Sequence, residues 1–343
     1  MTRSFSLQHH GVSPYCVFTG QLRRLEQEMW ASLEGAWAPG TKTNMRVQQK
    51  LFLDFCAYFS LEPCSASLQT LCLFAQFVAR GSDSSSSVSS YLTTVKWLHV
   101  INGQCTDIFS SEMIKLVKKG IVRAKQHRPQ QALPITPDML KEFRDLLDLG
   151  QARDATLWAL MVLSFFLMTR KSNMVSDSVP KFDSSKQLLR GDVKLRHDAL
   201  LVSLKWSKTN QFGDREHIVP LFRLPGSPLC PWEAYTNMIR KVPGQDGDPA
   251  FMVKRGKHWV PLTYSQFSKS LKMLVEATGR NSRAYSTHSL RRGGATFLAS
   301  LGVDKDKIKL IGDWRSDAVN EYLFCHMQAK IQVAQAVKKS LSS

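Results

Sequence analysis

Residues Leu157 to Met168 (LWALMVLSFFLM) form an apolar run interrupted only by Ser164. As helix, a run of this length extends about 18 Å. That is too short to cross a bilayer, so the run has to be sheathed by other elements as a buried core helix. A chain of 343 residues has the material to do so and to build a second domain. Apolar residues are 43% and aromatics 10% of the chain, as expected for a globular protein. Lys and Arg number 46 against 28 Asp and Glu, a formal net charge of +18. The excess is +6 over residues 1–130 and +12 over 131–343, so it is not a single basic tail. Such a molecule is drawn to polyanions, either nucleic acid or an acidic membrane surface.

Several classes lose their support. The opening MTRSFSLQHHGVSPY has no apolar core of signal-peptide length, and an unsecreted, intracellular protein is expected. The seven cysteines show no framework spacing and no C-x-x-C, the pattern of reduced thiols. No H-E-x-x-H, G-x-x-x-x-G-K-[ST] or G-x-G-x-x-G occurs. His127, His258 and the pair His9-His10 lack ligand spacing. No metal and no cofactor is therefore expected.

Residues 1–20 are polar and read as a flexible N-terminus. Over 21–122 the apolar spacing is helical: Leu22, Leu25, Met29 and Leu33, then Val47, Leu51, Phe55 and Phe59, then Leu68–Ala79, Tyr91–Ile101 and Met113–Val122. Strand signals are scarce there, so an all-α domain is predicted. Residues 123–136, RAKQHRPQQALPIT, read as a linker. Pro137-Asp138 then opens a helix with Thr136 as its cap.

The remainder, 137–327, mixes states. Ala199–Leu204 and His217–Leu221 read as strands joined through Phe212-Gly213-Asp214. Pro231–Ile239, Tyr264–Ala277, Leu290–Leu301, Lys305–Ile311 and Asp317–Tyr322 read as helices. Residues 328–343 carry a basic amphipathic pattern through Ile331, Ala334, Val337 and Leu341, suited to a C-terminal helix.

Two tracts could carry chemistry. Thr287-His288-Ser289-Leu290-Arg291-Arg292-Gly293 puts a proton carrier and a planar cation three apart at a helix start. The spacing is common, and a surface pair at a cap also fits it. Ile311-Gly312-Asp313-Trp314-Arg315-Ser316 leads into a segment ending at Tyr322. A tyrosine there is either a packing residue or, beside cations, a nucleophile.

Together these tracts resemble the tyrosine recombinase (phage-integrase) family: H-x-x-R, then G-x-W, then a tyrosine about thirty residues after the arginine. Met168-Thr169-Arg170-Lys171-Ser172-Asn173 supplies the family's earlier arginine after a buried helix. Lys205-Trp206-Ser207-Lys208-Thr209-Asn210 supplies a lysine between two strand-like runs. The wording RKSN, KTNQFG and GDWRSDA is closest to eukaryotic mobile-element recombinases of the DIRS and Crypton kinds. Two positions depart from the pattern. Asn173 stands where an acidic residue is common, and Trp314 where histidine is.

The resemblance implies a multidomain fold. An all-α core-binding (SAM-like) domain would join an α+β catalytic domain to form a C-shaped clamp on DNA. It implies a site-specific recombinase that cuts and rejoins DNA through a 3′-phosphotyrosyl intermediate and a Holliday junction, without metal or ATP. Tyr322 would be the nucleophile, with Tyr285 its rival. Arg170 and Arg291 would clamp the phosphate, Lys208 would act as general acid, His288 would assist, and Trp314 would pack and donate one hydrogen bond. Lys115, Lys118, Lys119, Arg123, Lys125 and Arg128 would meet DNA near the domain junction, though a solvated helix end fits them too. The partners would be two DNA duplexes and three further copies, a tetramer in which residues 328–343 pass between protomers. The location would be the nucleus if the host is eukaryotic, otherwise the cytoplasm. An inactive domesticated DNA-binding protein and a type IB topoisomerase-like relaxase are the alternatives.

Overall fold

The computed structural model describes residues 14–82, 84–125, 131–207, 210, 215–315, 319–320 and 338. The chain divides into two compact units, Met1–Pro129 and Gln130–Ser343.

The described part of the first unit is helical: α1 (Pro14–Gly35), α2 (Pro39–Tyr58), α3 (Leu68–Arg80), α4 (Ser85–Ile101) and α5 (Glu112–Lys125). Helix α1 begins at Pro14, inside the stretch read as flexible; proline fits the first helical turn, where its missing N–H is no loss. Serines start two of these helices: Ser67 caps α3 through Thr70 N, and Ser84 caps α4 through Ser86 N. Phe52, Phe55, Phe74, Val78, Leu92, Val95, Ile114 and Ile121 form this unit's core. His99 is buried in it, its Nε2 accepting from Ala66 N (3.2 Å) and its Nδ1 bonded to the Val95 carbonyl (2.9 Å).

The second unit is built on the apolar run. Helix α6 (Pro137–Asp145), capped by the Thr136 hydroxyl on Met139 N, precedes α7 (Ala152–Phe166). Every residue of α7 from Ala155 to Phe165 is buried. Around it lie α8 (Lys171–Met174), a three-stranded antiparallel sheet of β1 (Val193–Leu195), β2 (Ala199–Ser203) and β3 (Ile218–Phe222), α9 (Pro231–Lys241), a hairpin of β4 (Met252–Arg255) and β5 (His258–Pro261), α10 (Tyr264–Ala277), α11 (His288–Ser300) and α12 (Lys305–Gly312). In the sheet Leu200 faces Leu195 and Leu221, and Val202 faces Val193 and Val219, so one face is apolar and turned to the core. Pro220 is accommodated because β3 is an edge strand.

One reading needs correction. Residues 131–136 are not free linker: Ile135 is fully buried, and its N–H donates to the Ser289 carbonyl (3.0 Å). The cause is tertiary. Gly293 and Gly294 remove side chains from α11, and a Cβ at either position would collide with the carbonyl oxygen of Ile135 or Phe165. The segment and α7 thus pack backbone-close onto α11. The β4–β5 hairpin has no counterpart in the sequence reading, because its charged sequence MVKRGKHWVP conceals it; Gly256, at φ 59°, turns it. Among the described residues no helix is long and apolar enough to cross a membrane.

Candidate active site

The carboxyl end of α7 sets the site. Beyond the helix, Met168 adopts a left-handed backbone (φ 49°), and the chain turns so that Arg170 becomes the extended N-cap residue of α8. Arg291, one turn into α11, is buried at 1% exposure and donates through Nη1 to the Met168 carbonyl. One peptide unit therefore both leads to the first arginine and seats the second.

Trp314 covers Arg291. The guanidinium carbon stands 3.7 Å from the indole centroid, and a desolvated contact of this kind is worth about 2 kcal/mol. The ring reaches that place because Asp313, at the end of α12, takes a left-handed conformation (φ 54°, ψ 54°). Gly312 leaves room for the ring; a Cβ there would overlap it. Met168, Ala295, Ile308 and Val319 complete the apolar packing around Trp314.

His288 is the first residue of α11 and is exposed on one side. Burial of its other side lowers its pKa below the ordinary histidine value, and Arg291, Arg170, Lys171 and Arg292 lower it further by repulsion. The neutral imidazole, able to accept a proton, is thereby favoured. A cleft runs alongside, lined by Thr169, Arg170, Asn173, Ser207, Arg291 and Asp313 among others. Two guanidinium groups at a cleft edge suit the oxygens of a phosphate.

The structure thus brings Arg170, His288, Arg291 and Trp314 together. Lys208, Tyr322 and Arg128 lie outside the described residues, as does nearly all of 328–343. Tyr285 packs against the main core. Asn173 is buried and donates through Nδ2 to the Trp206 carbonyl, a bond that a carboxylate could not make. On α5, Lys115, Lys119 and Arg123 recur every fourth residue along an exposed face, while Lys115 also pairs with Glu112 (2.6 Å) and Lys125 donates to the Ser82 carbonyl.

Sequence reading missed several residues here. The hydroxyl oxygens of Thr169 and Thr287 are buried with no hydrogen-bond partner among the described residues, one beside Arg170 and the other beside His288. Arg292 donates to Gln131 Oε1 (2.7 Å) and ties the site to the docked segment. Asp313 accepts from Ser207 Oγ and from Arg215 Nη2. None of these had a local signal, because each bond joins residues far apart in the chain. Among the described residues no three His, Cys, Asp or Glu side chains gather as metal ligands would.

The phage integrase family model matches residues 185–338, which include His288, Arg291 and Trp314 but not Arg170. Among solved structures, the chain is similar to the Tn1549 transposon integrase (residues 82–397) in complex with circular intermediate DNA, at TM-score 0.60 and 14% identity, covering 90% of this chain and 97% of that one. It is also similar to a lambda integrase (75–356) dimer bound to a COC′ core site, at TM-score 0.55 and 13% identity, covering 87% and 93%. Likeness at these identities carries the fold. No curated protein sequence matches the chain significantly.

Proposed function

We propose that this protein is a tyrosine recombinase, a site-specific DNA recombinase, a reading supported by the match of the phage integrase family model to residues 185–338. The Tyr322 oxygen attacks a DNA phosphorus and the bond to the 5′-oxygen breaks. The products are a 3′-phosphotyrosyl link and a 5′-hydroxyl. Arg170 and Arg291 hold the non-bridging oxygens, where charge builds in the transition state. Lys208 gives a proton to the leaving 5′-oxygen. His288 takes up the tyrosine proton and contacts the phosphate. Trp314 fixes the plane of Arg291. The link conserves the phosphodiester energy, so attack by a 5′-hydroxyl of another strand reseals DNA without ATP or metal. Repeating the exchange passes through a Holliday junction.

The observation that carries this reading is the convergence of Arg170 and Arg291 on one cleft with His288 near both, drawn from positions 121 residues apart at their extremes. The family's solved neighbours named above were determined with DNA, which supports duplex DNA as the partner. We assign 21–122 to core binding, 123–130 to the connection, 131–327 to catalysis and 328–343 to exchange between protomers of a tetramer. The basic residues of α5, with Arg128, add to the grip on the backbone. A nuclear site of action follows if the host is eukaryotic.

The test is covalent trapping. Purified protein is mixed, in chelator and without nucleotide, with a random-sequence pool of nicked duplexes, and the adducts are mapped by sequencing and mass spectrometry. The expected result is an adduct through Tyr322 on a 3′-phosphate, absent from Tyr322→Phe. Equal trapping by Tyr322→Phe overturns the assignment of the nucleophile; no adduct from the unaltered protein overturns the recombinase reading.

A further inference from the structure

Helix α1 lies outside the core of the first unit. Every residue from Gly20 to Ala36 is exposed, and no described side chain of the helix joins the apolar cluster that holds the unit together. Just beyond its end, Trp37 packs edge-on against Trp97 of α4, with ring centroids 4.7 Å apart. The helix therefore has a seated base and an uncovered length. Along that length Leu22, Leu25, Met29 and Leu33 form one stripe, spaced three, four and four residues apart. They are 58, 61, 49 and 45% exposed. Such a row normally faces a core, and a helix in water takes most of its stability from packing that face.

The charges point to what covers the stripe. Helix α1 carries Arg23 and Arg24 against Glu26, Glu28 and Glu34. On a chain of net charge +18 it is the mildly acidic element, with little to offer DNA or an acidic membrane. The signs are also segregated, since both arginines precede all three glutamates. The helix itself gains nothing from this order: Glu34 sits in the last turn, where the dipole disfavours an acid. Arg24 and Glu28 pair along the helix (3.7 Å). Arg23 and Glu34 cannot, because about 16 Å of helical rise separates them.

Two copies of the helix run antiparallel bring those ends together. Centred near Gln27, Leu22 of one protomer meets Leu33 of its partner and Leu25 meets Met29. Arg23 then comes within about 3 Å of rise of the partner's Glu34. The two-fold axis makes each of these contacts twice. A parallel pair instead sets arginines level with arginines and glutamates level with glutamates.

We propose that α1 is a dimerisation helix, which pairs antiparallel with α1 of a second copy of this chain through Leu22, Leu25, Met29 and Leu33. The seam is short and smaller than a standard interface, so a Kd on the order of 10 µM is expected. The pairing needs no DNA and does not depend on the recombinase reading.

The test is sedimentation velocity of the full chain without DNA, from about 1 to about 100 µM, since self-association follows concentration. Circular dichroism checks the helix content of each variant. The unaltered protein is expected to pass from monomer to dimer over that range. Leu25→Glu puts a charge into the seam and is expected to raise Kd at least about tenfold. At low salt Arg23→Glu and Glu34→Arg are each expected to raise it about three- to tenfold, and the double variant to return within about twofold of the unaltered protein. These two positions are exposed, so the charge reversals test the pairing even if Leu25→Glu loses helix. A protein that stays monomeric throughout overturns the proposal and leaves the stripe to another occupant. Association that Leu25→Glu leaves unchanged runs through a different surface and overturns it as well. A double variant as weak as the single ones overturns the antiparallel pairing.

Discussion

The guanidinium carbon of Arg291 lies over the indole of Trp314 while its Nη1 is tied to the carbonyl of Met168. The arginine is oriented from two directions before any ligand arrives. Arg291→Lys keeps a charge but loses the planar fork and the stacking surface. It is expected to lower the rate of covalent adduct formation by about a hundredfold, in line with the loss of one oxyanion donor. Single-turnover cleavage of a trapped duplex measures it, and a change below about threefold would argue that Arg291 is structural.

Trp314→Ala opens a cavity among Met168, Ala295, Ile308 and Val319 and is expected to destabilise the protein by about 3–5 kcal/mol. Trp314→Phe keeps an aromatic face and is expected to keep most stability. Denaturant unfolding of both variants decides whether the ring's packing or its N–H matters more.

Gly294→Ala reverses the usual sign of a glycine-to-alanine change in a helix. Alanine normally gains about 1 kcal/mol there, but here its methyl meets the Phe165 carbonyl. A loss of about 1–3 kcal/mol is expected, seen as a lower thermal midpoint. An unchanged or raised midpoint would show that α7 and α11 are not packed this closely.

The lowered pKa of His288 makes stability depend on pH in a definite direction. The unfolded chain protonates this histidine first as pH falls, because its pKa there is the ordinary, higher one. The stability tied to the neutral ring is therefore present above the ordinary histidine value and is lost as pH falls through the lowered folded value. His288→Gln is expected to flatten the acid limb of stability in that window. Parallel acid limbs for the two proteins would contradict the environment described.

How much of this was legible in the sequence divides along physical lines. Helix α10 spans Tyr264–Ala277 as predicted, and Thr136 caps α6 as predicted, because caps and periodicity are local. The core role of α7 followed from its apolar run. What stayed hidden depends on distant partners. Ile135 looked like linker because its acceptor, Ser289, is 154 residues away. Nothing local marked the Asp313 carboxylate, whose partners Ser207 and Arg215 lie far back in the chain. For the site, motif order alone selected Arg170, His288, Arg291 and Trp314. Asn173 counted as a missing acid, whereas its amide is the donor to Trp206 that the fold requires.

That last point yields a prediction that runs against the family pattern. Asn173→Asp, which restores the commoner acidic type, replaces a buried donor with a carboxylate facing the Trp206 carbonyl. It is expected to cost about 1–3 kcal/mol of stability, and adduct formation is expected to fall with it. A stabilised or more active variant would refute the contact.

Met168 has a further meaning. Its carbonyl seats Arg291, and the chain that follows it delivers Arg170. Two arginines separated by 120 intervening residues thus share a single anchor point. Thermal fluctuation of α7, or evolutionary repacking around it, carries both charges in the same direction. The gap between them, which in the proposed function receives one phosphate, is insulated from drift in the rest of the core.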